Sequence, residues 1–266
     1  GIYNLYKTTK SGKLIKNEEV EAPALVAHTG SNEGWHRVIE RKPVRMLVFS
    51  LIVILIGGVV EIIPTIMIES NVPTIAAVKP YSPLELEGRD IYIREGCNNC
   101  HSQMIRPLRF ETERYGEYSK AGEFVYDHPH LWGSKRTGPD LQREGNKRTD
   151  SWHFTHFLKP AEFIPGSIMP PYDFLIEEDL DLSKLKKKIK ALRSVGVDYE
   201  EGFEEGAEKL ANMQAMKIAN NIVTDIYKVK GTQKEKAVES LSKKEVVALI
   251  AYLQRLGTDI TVKEKN

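Results

Sequence analysis

Cysteine is almost absent from this chain: Cys97 and Cys100 are the only two among 266 residues. A structural zinc site would want two more ligands at finger or ribbon spacing, and none are there. A redox-active C-x-x-C would want a βαβ surrounding, which is missing too. Net charge is nearly absent as well. The 38 Lys and Arg offset the 37 Asp and Glu to a formal charge of +1, which argues against nucleic acid or a strongly acidic partner. Residues 1–36 lack strong periodicity and read as a lead.

What is present is Cys97-Asn98-Asn99-Cys100-His101. Two thiols at this spacing can each add to one vinyl group of a haem, and the following histidine is placed to bind the iron. C-x-x-C-H therefore reads as attachment of one covalent c-type haem.

From Met46 to Ile68 the chain runs MLVFSLIVILIGGVVEIIPTIMI. A helix of that length covers roughly 30 Å of hydrocarbon. A signal-peptide core would be shorter, nearer the N-terminus and followed by a small-residue cleavage site; no such site follows. Arg37, Arg41, Lys42 and Arg45 crowd one end, while Glu61 and Glu69 mark the other. Positive residues stay cytoplasmic, so the N-terminus is expected inside and everything after about Ser70 outside. The haem motif agrees, since c-type haem is attached on the outer face of bacterial membranes. Glu61 has two readings: it faces a protein neighbour, or it snorkels to the outer interface.

Local signals place helices around the motif. Ser82-Pro83-Leu84-Glu85 is a capping box with proline at the first helical position. The helix it opens carries Leu84, Gly88, Ile91 and Tyr92 on one face and leads into Cys97. Ser242-Lys243-Lys244-Glu245 reads as a second box. After it, Val246, Leu249, Ile250, Leu253 and Leu256 fall at helical spacing before Gly257. Gly88 would let this last helix cross the first closely, near Leu249 and Tyr252; two separate surface helices are the alternative. A short helix is expected at 151–158. Residues 180–236 run from basic (184–190) to acidic (200–208). Ala211, Ala215, Ile218, Ala219, Ile222, Ile226 and Val229 form an apolar stripe among them. This reads as an inserted helical excursion with a solvated charged surface.

An iron bound by His101 has one further axial position, to be filled by methionine, histidine or an open site. Met104 is too near His101 in sequence. Met213 and Met216 lie in the excursion, and Met46 and Met67 in the apolar run. Met169 remains, in Pro165-Gly166-Ser167-Ile168-Met169-Pro170-Pro171, where prolines restrict the backbone around a soft thioether. His/Met ligation raises the reduction potential relative to bis-histidine. His153 and His156, three apart on one helix, could share a face as a metal site or a bis-histidine haem, but without a third nearby ligand type they read as ordinary polar residues. Thr137-Gly138-Pro139-Asp140-Leu141 offers the Pro139 carbonyl as an acceptor for the second ring nitrogen of His101.

The runs G-C-N-N-C-H-S-Q-M-I-R-P (96–107), L-W-G-S-K-R-T-G-P-D-L (131–141) and P-G-S-I-M-P-P-Y (165–172), with G-G-V-V-E-I-I-P (57–64), are similar to the monohaem cytochrome c subunit of cbb3-type cytochrome c oxidases. The resemblance covers about 35–180 plus the C-terminal helix. It implies a mainly α protein: a class I cytochrome c domain on a single N-terminal transmembrane helix, with the charged segment inserted. The expected boundaries are a cytoplasmic lead 1–42, a membrane helix 43–69, a linker 70–81, a cytochrome domain 82–260 holding the 180–236 insertion, and a tail 261–266. It implies that Cys97 and Cys100 carry the haem and that His101 and Met169 ligate it. Arg106, Trp132 and Arg136 are candidates for packing around it and its propionates. The chain would then be an electron carrier within an oxidase, without the oxygen-reducing site. Its partners would be a haem–copper catalytic subunit, a second membrane-bound or soluble cytochrome c as donor, and membrane lipid. The first thirty-odd residues resemble the cytoplasmic tail of that catalytic subunit, which suggests the C-terminal part of a fused polypeptide. The excursion is longer than the family's usual connection.

Overall fold

A computed structural model of the chain describes residues 2–11, 34–67 and 74–261. Most of the expected lead (residues 12–33), the end of the membrane segment (68–69), the start of the linker (70–73) and the tail from 262 lie outside the described residues. The described part is mainly helical and contains no β-strand. It divides into two units, residues 1–64 and 65–266.

The first unit holds α1 (Ile2–Ser11), α2 (Trp35–Glu40) and most of α3 (Pro43–Met67). The stretch Pro43–Thr65 has a mean hydropathy of 2.8 and none of it is buried. Leu51, Ile54 and Leu55 are each at least half exposed. A helix apolar on every side is stable only inside a large core or a bilayer. This one is long and apolar enough to cross a membrane.

The second unit is built from α4 (Pro83–Arg94), α5 (Cys97–Cys100), α6 (Arg109–Tyr115), α7 (Asp150–Leu158), α8 (Pro160–Phe163), α9 (Phe174–Glu177), α10 (Leu185–Ser194), α11 (Phe203–Ile222), α12 (Thr232–Ser242) and α13 (Glu245–Arg255). Its α4 starts at the Ser82 capping box: the Ser82 hydroxyl accepts from Glu85 N, and Ser82 N donates to the Glu85 carboxylate at 2.8 Å. Its buried face meets that of α13, where Val246, Leu249 and Ile250 are fully enclosed. At the crossing, a Cβ on Gly88 would fall 2.9 Å from Tyr252 Cβ and closer still to Ala248. Only glycine fits there.

The second capping box does not form. Ser242 is the last residue of α12, and its hydroxyl donates back to Glu239 O at 2.9 Å. Lys244 is the residue that caps α13, without a side-chain bond. Residues 178–180 occupy the start of α13 instead, through Leu180 N to Lys243 O at 2.7 Å and Glu245 N to Glu178 O at 3.1 Å. Tertiary bonds replaced the local ones.

The excursion supplies α10, α11 and α12, and it joins the same core. Leu185, Ile189, Ala207, Ala211, Ala215, Ala219 and Ile222 are fully buried among residues of α4 and α13. Of the expected stripe, Ile226 stays 38% exposed. Small alanines let α11 lie close to α4 and α13. The charges largely answer one another: Arg193 meets Glu204 at 2.5 Å and Lys186 meets Glu205 at 2.9 Å. Lys188 reaches out to Glu87 and Asp90 of α4, at 2.5 and 2.7 Å.

Candidate functional site

Gly96, in the left-handed region (φ +69), ends α4 and turns the chain into α5. That single turn carries both thiols. Cys97 is half-buried against the core and Cys100 is exposed; both are free. Burial, aided by Glu95, pushes the Cys97 thiol up to about 12. A thiol held protonated at neutral pH offers little thiolate for disulfide exchange.

His101 follows at once, its backbone extended and its N–H donated to Cys97 O at 2.9 Å. Its Nδ1 lies 2.8 Å from the carbonyl oxygen of Pro139. A carbonyl can only accept, so Nδ1 carries the proton and Nε2 keeps its lone pair. Burial lowers the His101 pKa against the opposing pull of Pro139 and Asp140, which keeps the ring neutral. The loop that supplies Pro139 is stitched to the motif by Gly138 N to Cys100 O and Leu141 N to Ser102 O, both 2.9 Å. A Cβ on Gly138 would stand 2.2 Å from His101 Cε1, so the imidazole rests directly on backbone.

Beneath the loop lies a charged cluster. Asp140 Oδ2 accepts from Ser102 Oγ at 2.6 Å and from Met104 N at 2.9 Å. Arg136 donates Nε to Ser102 Oγ at 2.7 Å and one terminal nitrogen to Glu111 at 2.7 Å and Met104 O at 2.8 Å. Arg106 gives its backbone N–H and its Nε to the same Glu111. Glu111 is fully buried, and chiefly Arg136 holds its carboxyl down at about 2. Buried charge survives when it is paired and hydrogen-bonded throughout. Arg106 and Arg136 are thus brought beside the motif and are engaged with Glu111. Sequence reasoning did not single out Glu111 or Ser102; nothing local distinguishes Glu111 from Glu113 two positions on.

Trp132 stacks on His130 at 4.5 Å, meets Phe124 edge-on, and its carbonyl accepts Gln103 N at 2.8 Å. Met169 sits on a separate segment, half-buried against the core that Cys97 also touches. That segment hangs on α7 through Tyr172 N to Phe157 O at 2.8 Å. On α7, His153 and His156 belong to no group of three His, Cys, Asp or Glu side chains able to hold a metal ion; the described residues contain none.

No curated protein matches the chain. A family model described as "Cytochrome C oxidase, mono-heme subunit/FixO" matches residues 36–260, which includes the apolar helix, the C-x-x-C-H motif and the whole excursion. The chain belongs to this family, the mono-haem subunit of cytochrome c oxidase.

Proposed function

We propose that the chain relays single electrons through one covalently bound c-type haem to a haem–copper catalytic subunit that reduces oxygen to water. The His101–Pro139 hydrogen bond carries this reading. It fixes the tautomer that leaves Nε2 free, which is what a proximal ligand needs. Cys97 and Cys100 would hold the group by thioether bonds, and Met169 would provide the second axial ligand. The donor set fits: an imidazole with Nε2 free, two thiols on one turn and a half-buried thioether beside the same core. A haem held there by Cys97, Cys100, His101 and Met169 would supply a one-electron couple and, with those ligands in place, no bond chemistry.

The residues around it do the rest. Pro139 orients the imidazole, and Gly138 leaves room for it. Asp140, Ser102, Arg136, Arg106 and Glu111 tie the Pro139 loop to the residues after His101. Trp132 packs at the edge. The unit from 82 to 260 is read as a class I cytochrome c domain with 180–236 inserted. Segment 43–69 is its single anchor, preceded by a cytoplasmic lead (1–42) and followed by an outer linker (70–81). A membrane-bound or soluble cytochrome c would be the donor.

A free-standing membrane-anchored carrier is the second reading, favoured by the single anchor alone. The test is a His101→Ala oxidase that still assembles. It should consume no oxygen with its physiological donor, while a small mediator still reduces the catalytic haems. Normal turnover would sink the relay.

A further inference from the structure

The side of α7 near the haem motif carries a ladder that the relay does not use. Trp152 and His156 stand four residues apart on α7, about one helical turn, and Arg148 lies just before the helix, which begins at Asp150. The Arg148 guanidinium lies 4.7 Å from the Trp152 ring, and Trp152 stacks on His156 at 4.6 Å and 12°. Phe163 closes the stack edge-on, 5.7 Å from His156. Within it, the Nδ1 of His156 is shielded from solvent and has no hydrogen-bond partner among the described residues. Leaving a buried polar atom unpaired is costly, so a partner absent from the protein itself is called for.

The position of His156 says which partner. The next residue, Phe157, accepts the Tyr172 N–H at 2.8 Å and so ties α7 to the segment of Met169. On the other side, the His101 imidazole is near enough to lower the His156 pKa, after burial and ahead of Arg148. His156 thus lies on the helix that holds the Met169 segment, one residue before the Phe157 carbonyl that ties them. Arg148 adds positive charge at the far end of the stack, which favours an anion. Arg106 and Arg136, by contrast, direct their Nε atoms at protein oxygens.

We propose that His156 is a positioning residue whose Nδ1–H donates to a carboxylate at the edge of the bound haem. This rests on the reading that a haem occupies the site. A neutral imidazole has one donor and one acceptor, and donation to the carboxylate withdraws negative charge from the neighbourhood of the iron. That favours the reduced state.

The test uses the full chain matured with haem, as wild type, His156→Phe and His156→Gln. Phenylalanine keeps the ring stack and removes the donor; glutamine restores a donor. The phenylalanine variant should retain covalent haem, show a lower midpoint potential at fixed pH and shift the propionate bending mode in resonance Raman. Glutamine should recover most of both. An unchanged potential and mode in the phenylalanine variant, or a glutamine variant no better than it, overturns the proposal. If the phenylalanine variant fails to accumulate, the reduced wild type decides. Histidine-labelled NMR must then show a slowly exchanging proton on His156 Nδ1, and its absence overturns the proposal. A wild-type chain that carries no haem at all would refute the underlying reading instead.

Discussion

Gly88 and Ala248 meet where α4 crosses α13, so closely that a Cβ on residue 88 would lie 1.9 Å from the Ala248 carbonyl oxygen and 2.6 Å from its carbon. Both atoms are backbone, so no side chain can rotate away. Gly88→Ala removes a helix-interior glycine, which alone favours the folded state by up to about 1 kcal/mol. Forcing two helix axes apart costs about 1–3 kcal/mol or more, and the second effect wins. Denaturant unfolding of the full chain in detergent should show a lower midpoint at unchanged slope. A midpoint equal to wild type would mean that the crossing is looser than described.

Cys97 and Cys100 share one turn, and the proposal gives each one thioether bond. Haem-linked peroxidase staining after denaturing electrophoresis should therefore mark this chain, and acid–acetone should leave the pigment in the protein. Cys97→Ala with Cys100→Ala should abolish the stain. A haem that extracts freely from the wild type refutes covalent attachment.

Local signals were legible where the residues that satisfy them are also local. The Ser82 box closes within four residues, and it forms. Ser242 to Glu245 shows the same pattern, yet α12 runs on through Ser242 and residues 178–180 take over the start of α13. The bond between His101 and Pro139 could be anticipated, because a ligating imidazole needs an acceptor and Gly138-Pro139 is a rigid segment able to offer one. Glu111 could not, since its partners lie 5 and 25 positions away. The orphaned nitrogen on His156 is a property of packing and has no trace in the sequence.

Met169 is proposed as the thioether ligand, held in a proline-framed segment tied to α7. Met169→Ala should remove the weak near-infrared sulfur-to-iron charge-transfer band of the oxidised protein and lower its potential. A band that persists in the variant would exclude Met169 and turn attention to Met104 or a histidine.

Glu61 lies in the apolar helix, where an ionisable group costs roughly 2.5–3.5 kcal/mol at the bilayer centre and usually faces a protein neighbour. Glu61→Leu should then weaken association with the catalytic subunit, read as a lower yield of intact complex. An unchanged yield and turnover would leave snorkelling to the interface as its role.

His153 makes the stability of the second unit depend on acid. Its side chain is 3% exposed, and burial, with His156 and Arg148 adding to it, lowers its pKa from 6.5 to about 4. Between those two values the unfolded chain binds a proton that the folded chain refuses. Stability therefore falls as pH drops from about 6.5 to about 4, and is fully present above that window. Each pKa unit is worth 1.36 kcal/mol, so this residue contributes at most about 3 kcal/mol of acid sensitivity. Glu144, whose carboxyl burial raises, works the other way: it gains a proton more readily when folded and offsets part of the loss. His153→Gln cannot titrate in this range. Its unfolding free energy should change less between pH 7 and pH 4.5 than that of wild type, by about 2 kcal/mol. Equal pH dependence in the two proteins would show that the imidazole is solvated enough to take up its proton without unfolding the chain.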